Sequence, residues 1–287
     1  MYSSTRSRGR SGFTLVELLV VIGIIALLIA ILLPSLSRAR SAASSVASLS
    51  NLRQLGIGLL YYLNDNRGMY PVAAMPSVAG KPRERWADFI YPSLRNTEVY
   101  MSPHLTPADR TRMAKPFAHT CDPNANPGVL PSTVYFGGYG YNYQYLGNGR
   151  NPGGVRQFNA TTPMIRNSSQ TVALTDTDGC RDGWAAGEGV YVVDPPLQSL
   201  ELGSRGSRRT RADPYAPGNF GYRGGNLTET SASIYRAMPI ARNNGRVNVL
   251  MCDGHAEALT LKELDDSDAN GVPDNGYWNG RFDATLR

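Results

Sequence analysis

The densest group of side chains that could bind a metal is an acidic run at residues 265–274. Counted from its second aspartate, oxygen ligands fall at the first, third, fifth and ninth positions of a loop whose sixth residue is glycine. This is the spacing of a calcium-binding loop, in which hard oxygen ligands surround the cation and the glycine permits a sharp turn. The side-chain ligands would be Asp266, Asp268, Asn270 and Asp274. The backbone carbonyl of Val272 would be a fifth ligand.

The twelfth position of this loop departs from the calcium pattern, because Tyr277 stands where a bidentate glutamate is usual. Asp265, a backbone carbonyl or water would have to complete the coordination shell. The alternative is a solvated turn whose Asp and Asn side chains bind nearby backbone groups. We expect calcium as the cofactor and no other, with the solvated turn as the open alternative.

The remaining residues of catalytic type do not form a recognisable set. His104, His119 and His255 are too scattered along the chain to indicate a zinc site. No nucleophile elbow, zinc-protease helix or phosphate loop is present in the sequence. Acid pairs such as Asp176 and Asp178 are interpreted as turn residues. We therefore expect no enzymatic activity.

The three cysteines allow at most one disulfide if the domain is exported to an oxidising compartment. We favour Cys121 with Cys180, although the sequence alone leaves the pairing open. Cys252 lies in an apolar strand candidate, where a small buried side chain is expected.

The charge pattern argues against a basic nucleic-acid-binding face. The chain has 287 residues, with 29 basic and 23 acidic side chains and a formal net charge of +6. Six arginines and a single glutamate lie within residues 1–63, so residues 64–287 are close to neutral. A nucleic-acid-binding domain concentrates basic residues on one of its faces. We expect no nucleic-acid partner.

An apolar run from Phe13 to Leu33 contains one charged residue, Glu17. A helix of this length covers about 30 Å, the thickness of the bilayer hydrocarbon. The run is too long for a secretory signal core, and no small-residue cleavage site follows it. Two arginines beyond the span oppose the positive-inside bias, but three precede it. The rule therefore predicts a cytoplasmic N-terminus, on the strength of Arg6, Arg8 and Arg10.

The residues that open this run, Gly-Phe-Thr-Leu-Val-Glu at 12–17, resemble the processing motif of prepilins. Prepilins are the precursors of type IV pilins and of type II secretion pseudopilins, and the resemblance covers residues 12–33. It implies that a membrane peptidase cuts between Gly12 and Phe13 and methylates the new terminus at Phe13. It also implies that Glu17 pairs with the terminal amine of a neighbouring subunit.

Physical chemistry supports this role for Glu17. A carboxylate within hydrocarbon costs about 2.5–3.5 kcal/mol on insertion scales, so it needs a partner. The amine created at Phe13 would be one, and such a buried pair sets the register between packed helices. The alternative is a glutamate near the bilayer edge that reaches water. We interpret Glu17 as an assembly residue.

The helical repeat continues beyond Pro34, so we expect one helix over residues 13–63. Gly56 and Gly58 are expected to loosen its last turns. The apolar stripe that would face a domain consists of Leu36, Ala39, Ala43, Val46, Leu49, Leu52, Leu55, Leu59 and Leu63.

The composition changes to Gly, Pro, Asn and Tyr from residue 64 onward. A short helix is expected at 85–90, stopped by Pro92, and an Asp-Gly pair predicts a hairpin between the last two of four strand candidates. These candidates are residues 171–175, 189–193, 246–252 and 256–261. An aromatic, glycine-rich run at 135–145 is expected to cover the core, with a sugar-binding face as the alternative.

Together these patterns predict a pilin-like α+β protein, in which a long N-terminal transmembrane helix packs on a loop-rich antiparallel sheet domain. Its expected parts are a cytoplasmic leader at 1–12, the helix at 13–63 with its transmembrane part at 13–33, and an exported domain at 64–287.

The sequence also resembles one bacterial branch of pilin-like proteins, on the motif Asn-Leu-Arg-Gln-Leu at 51–55, Tyr-Gly-Tyr-Asn at 139–142 and the segment 248–255. The branch is often marked by a histidine, nine residues, then Asp-Gly. Asn243 stands in place of that histidine, and Ser102 in place of a common cysteine. No role of the missing His or Cys is therefore carried over.

The resemblance implies a structural subunit of a type IV pilus or type II secretion pseudopilus. It would be a single-pass protein of the bacterial cytoplasmic membrane before it joins a filament in the cell envelope or on the surface. Its partners would be prepilin peptidase, other subunits, the inner-membrane assembly machinery and membrane lipid. Some pseudopilins bind calcium near their C-termini, which favours the metal interpretation. The alternative function is a membrane-anchored exported binding protein, such as a glycan-binding protein, that uses the prepilin signal as its anchor.

Overall fold

The structure is a computed structural model, and the chain divides into two compact units, Met1–Ala43 and Ser44–Arg287. The residues that it describes are 15–76, 83–94, 96–113, 115–117, 135–149, 158–177, 191–193, 195–196, 239–242, 245–271 and 274–285.

Within these residues, a long N-terminal helix and a mainly antiparallel sheet confirm the predicted α+β class. The α-helices are α1 (Leu15–Asp65), α2 (Trp86–Leu94), α3 (Pro107–Met113) and α4 (Leu261–Asp265). The strands are β1 (Lys115–Pro116), β2 (Tyr135–Phe136), β3 (Tyr139–Asn142), β4 (Gly147–Asn148), β5 (Phe158–Asn159), β6 (Val172–Asp176), β7 (Val192–Val193), β8 (Arg246–Met251) and β9 (Ala256–Thr260).

The first half of α1 is apolar on every side. Its large apolar side chains from Leu15 to Leu33 are between 44 and 77 % exposed. The helix is long and apolar enough to cross a membrane by length and composition. Such a surface is typical of a helix surrounded by lipid or by other helices, because exposing so much apolar surface to water is unfavourable.

From residue 44 onward one face of α1 is buried in the second unit. Its buried leucines recur at the predicted intervals, but Val46 is 68 % exposed and Ser45 and Ser48 are buried instead. The apolar repeat fails here because the sheet presents polar groups, such as the Asn248 side chain, which accepts a 3.4 Å hydrogen bond from Ser45 Oγ. The buried leucines are Leu52, Leu55, Leu59 and Leu63.

Two glycines of α1 allow close packing. A Cβ on Gly56 would lie 3.0 Å from the carbonyl oxygen of Gly254, and one on Gly58 would lie 2.7 Å from Leu94 Cδ1. The prediction that these glycines loosen the last turns is wrong, because both are buried within a helix that continues to Asp65.

The main sheet has the strand order β7-β3-β6-β8-β9. Its neighbours are antiparallel except β3 and β7, which run parallel. Strands β8 and β9 form the predicted hairpin, with Val247 opposite Leu259, and Gly254 in its turn has a φ of +94°. The strand candidate at 189–193 is described only in part, as β7. The central strand β6 is buried along its whole length, so both faces of the sheet are covered.

An aromatic core fills the sheet face toward α1 and α2. Trp86 stacks on Tyr141 with ring centroids 6.3 Å apart, and its Nε1 donates a 2.7 Å hydrogen bond to the Tyr191 carbonyl. The described rings of the aromatic run are buried, so they contribute to core packing and present no sugar-stacking face. They belong to Phe136, Tyr139, Tyr141, Tyr143 and Tyr145.

Helix α2 runs through Pro92 to Leu94, so the prediction that Pro92 stops it is wrong. The proline removes one backbone hydrogen-bond donor. It lies in the last turn of α2, so few helical residues follow the lost hydrogen bond. Leu94 packs against the aromatic core, which favours the extra turn.

Candidate functional site

The N-terminal candidate site begins just before the described residues. Gly12 and Phe13 lie outside the described part of the chain, whereas Glu17 lies in the first turn of α1 and is exposed. A carboxylate in a first turn is favoured by the partial positive charge of the helix N-terminus. Glu17 is therefore on the surface of an otherwise apolar helix segment, where a neighbouring helix can reach it.

The acidic loop brings three of its four aspartates together. One carboxylate oxygen each from Asp266, Asp268 and Asp274 lie within 4.8 Å of one another. Helix α4 leads into the loop and starts with a capping box, in which Thr260 Oγ1 accepts from the Glu263 N–H at 3.1 Å. The geometry thus gathers the aspartates that the calcium spacing predicts, while Val272 lies outside the described residues.

Hydrogen bonds within the loop hold these carboxylates in place. Asp266 accepts from the backbone N–H groups of Asn270 at 3.0 Å and Gly271 at 2.9 Å. Asp274 accepts from the Ser267 N–H at 2.7 Å and from its hydroxyl at 2.8 Å. Gly271 has a φ of +84°, a left-handed conformation that favours glycine.

This arrangement fits a hard cation by its donor chemistry. Asp266 and Asp274 are buried, and three carboxylates so close together repel one another unless a positive group or a cation compensates them. The backbone donors compensate part of this charge, which is also what a solvated Asx turn would use. Asn270 donates its Nδ2 to Asp268 at 2.9 Å. Its amide therefore braces the loop.

The other reactive residues form no comparable site among the described residues. His255 Nδ1 lies 2.7 Å from Asp253 Oδ1 at the exposed hairpin turn. Cys252 is buried, as expected for a small strand residue, and burial raises the pKa of its thiol to about 12. Cys121 and Cys180, the favoured disulfide pair, lie outside the described residues, as does Asn243.

The sequence interpretation missed a buried carboxyl at Asp176. The turn predicted at this position is wrong, because Asp176 is the last residue of the central strand β6 and is 1 % exposed. Its carboxylate accepts hydrogen bonds from Ser48 of α1 and from Ser102. Ser45 and Ser48 lie outside the predicted apolar stripe of α1, so no local pattern in the sequence indicates this contact.

Comparison with protein families finds one match. Residues 7–33 match the family model for the prokaryotic N-terminal methylation motif. No curated protein and no solved structure matches the chain. The matched residues include the predicted cleavage position and the apolar first half of α1. The chain therefore carries a prepilin-type N-terminal methylation motif together with a long N-terminal helix, which supports a type IV pilin- or pseudopilin-like protein.

Proposed function

We propose that this chain is a structural subunit of a type IV pilus or a type II secretion pseudopilus. The observation that carries the proposal is the methylation motif at the start of a helix whose first half is apolar on every side. The motif implies processing by prepilin peptidase and assembly with other pilin subunits. It indicates a structural role, with no catalytic activity required.

The proposed sequence of events follows from the solvation of α1. The precursor is stored as a single-pass protein of the bacterial cytoplasmic membrane, with leader 1–12 inside, the span at 13–33 and the domain at 64–287 exported. Prepilin peptidase cuts between Gly12 and Phe13. The assembly machinery of the inner membrane then moves the helix from lipid into a bundle of neighbouring helices, which exchanges one apolar environment for another at little cost.

Glu17 gives this transfer its register. In the bundle the carboxylate can pair with the methylated amine of Phe13 on a neighbouring subunit. Because a carboxylate in an apolar environment is costly, the register that brings this charged amine to it is favoured. An alternative role as an anchored glycan-binding protein has no support from the described aromatic run, because its rings are buried.

The test has two parts. Mass spectrometry of the mature protein from membrane or surface fractions should find methylated Phe13 at its N-terminus, whereas mature protein that retains Met1 contradicts processing. Glu17→Ala should abolish filament incorporation, and Leu18→Ala, the apolar control next to it, should not. Normal incorporation of Glu17→Ala would refute the assembly role.

We also propose that the acidic loop binds calcium through Asp266, Asp268, Asn270, Asp274 and the carbonyl of Val272. The proximity of three carboxylates within 4.8 Å supports this. A cation bound only by the folded state stabilises it by about 2.7 kcal/mol at a hundred times its Kd.

Thermal unfolding of the full-length chain should therefore occur at a higher temperature in calcium than in chelator. Asp268→Ala should remove the difference, and the exposed Asp65→Ala at the end of α1 should retain it. Identical unfolding in calcium and chelator would leave the loop as a solvated turn.

A further inference from the structure

A buried group of polar side chains joins α1 to the sheet, and we call it the polar seam: Ser48, Ser102, Tyr139 and Asp176. The carboxylate of Asp176 accepts from Ser48 Oγ, at 3.2 and 3.3 Å to its two oxygens, and from Ser102 Oγ at 3.2 Å. The hydroxyl of Tyr139 on β3 donates to Ser48 Oγ at 3.3 Å. Helix, sheet and the loop at residue 102 therefore all meet at one carboxyl.

The seam has charged and titratable neighbours outside α1. The Arg242 guanidinium donates to the carbonyl of Thr177 at 3.2 Å and to that of His104 at 3.5 Å, which brings a positive charge close to Asp176. Burial, together with Arg242, lowers the pKa of His104. Burial raises the pKa of Tyr139, which stays neutral. Helix α1 faces the carboxyl with the neutral hydroxyl of Ser48.

Burial dominates the protonation of Asp176. It raises the pKa of this carboxyl to about 7 from an ordinary 3.8, even though Arg242, the two serine hydroxyls and the backbone amide of Asn248 favour the charged form. Between these two values the closed seam binds a proton that an opened, solvated seam would release. The free energy that holds the seam closed therefore falls as the pH rises through this range and levels off above it.

We propose that Asp176 is a pH-sensitive latch between α1 and the sheet, closed when its carboxyl is neutral and weakened when it is ionised. Ser45 and Ser48 are the first buried residues of α1, so the latch lies at the start of its docked half. Opening at residues 44–51 returns the carboxylate to water, which relieves the cost of keeping a charge in the core. The leucines from Leu52 onward stay packed, because their burial does not depend on the carboxyl.

Hydrogen exchange of the full-length chain in detergent tests this latch. After correction for the intrinsic pH dependence of exchange, amides at 44–51 should be protected about a hundredfold less at pH 8 than at pH 5, the linkage expected for a pKa of about 7 in the closed seam and 3.8 in the open one. Asp176→Asn should remove this pH dependence. Asp88→Asn, which alters another fully buried carboxyl outside the seam, should retain it.

A second variant keeps the test decisive if Asp176→Asn does not fold. Ser48→Ala removes a hydrogen-bond donor to the charged carboxylate. The pH at which half of the protection at 44–51 is lost should therefore be higher in this variant than in the wild type. Protection of 44–51 in the wild type that does not change between pH 5 and 8 would overturn the proposal. A pH dependence that Asp176→Asn retains would also overturn it and assign the effect to a histidine such as His104.

Discussion

Truncation of Leu52 to alanine tests whether the second half of α1 is part of the domain core. Leu52 is completely buried and belongs to the aromatic core. Leu60 lies about two turns further along the same helix and is 42 % exposed, which makes Leu60→Ala a matched control.

The two substitutions should differ clearly in free energy of unfolding. A fully buried leucine contributes about 1.5–3 kcal/mol by transfer alone, and the cavity left by its removal brings the typical total to about 2.7–5 kcal/mol. Leu60 loses only the transfer energy of its buried part, about 1 kcal/mol, and its site opens to solvent without an enclosed cavity. We expect Leu52→Ala to cost about 2–4 kcal/mol more.

The assay is a denaturant titration of the full-length chain in detergent. Fluorescence of the buried Trp86 and Trp278 reports on the domain, and an unchanged slope would show that the same surface unfolds in each variant. Equal losses for Leu52→Ala and Leu60→Ala would refute the reasoning, because they would mean that α1 contributes no enclosed core.

Substitutions at three further positions test local features, each by thermal unfolding against the wild type. Gly276→Ala should destabilise the acidic loop and remove any calcium effect, because its Cβ would overlap the Ser267 hydroxyl; unchanged unfolding would contradict this. Thr260→Ala should cost about 1 kcal/mol as the loss of an N-cap, and Thr260→Ser should restore most of it. Trp86→Phe should cost about 0.5–1.5 kcal/mol, because the Tyr191 carbonyl loses one hydrogen bond but keeps the one from the Tyr141 N–H at 3.1 Å, and a neutral result would mean that water replaces the indole.

The sequence predicted the features that depend on local pattern. The apolar run and the three- and four-residue repeat predicted α1 almost to its end at Asp65, and Asp-Gly predicted the β8–β9 hairpin. The spacing of the acidic loop also predicted which aspartates come together. In each case the information lies within a few residues of chain, where periodicity and turn chemistry act directly.

The misses depend on residues that are distant in sequence. Asp176 and Ser48 are 128 positions apart, and neither position alone indicates that a carboxyl and a hydroxyl share a buried site. Val46 has the right spacing for the core, yet the sheet offers polar groups where it would pack. Pro92 fails as a stop signal because the packing of Leu94 outweighs one lost backbone hydrogen bond.

The contacts of α1 with the C-terminal hairpin have a consequence for the order of folding. Ser45 and Arg53 each bond to residues 203 positions later, Asn248 and Ala256. Contacts of such large sequence separation close slowly, since a long loop must be ordered before they form. The part of the leucine face that packs on this hairpin therefore stays exposed until nearly the entire polypeptide has been synthesised. During that interval a chaperone or the bilayer surface would cover it.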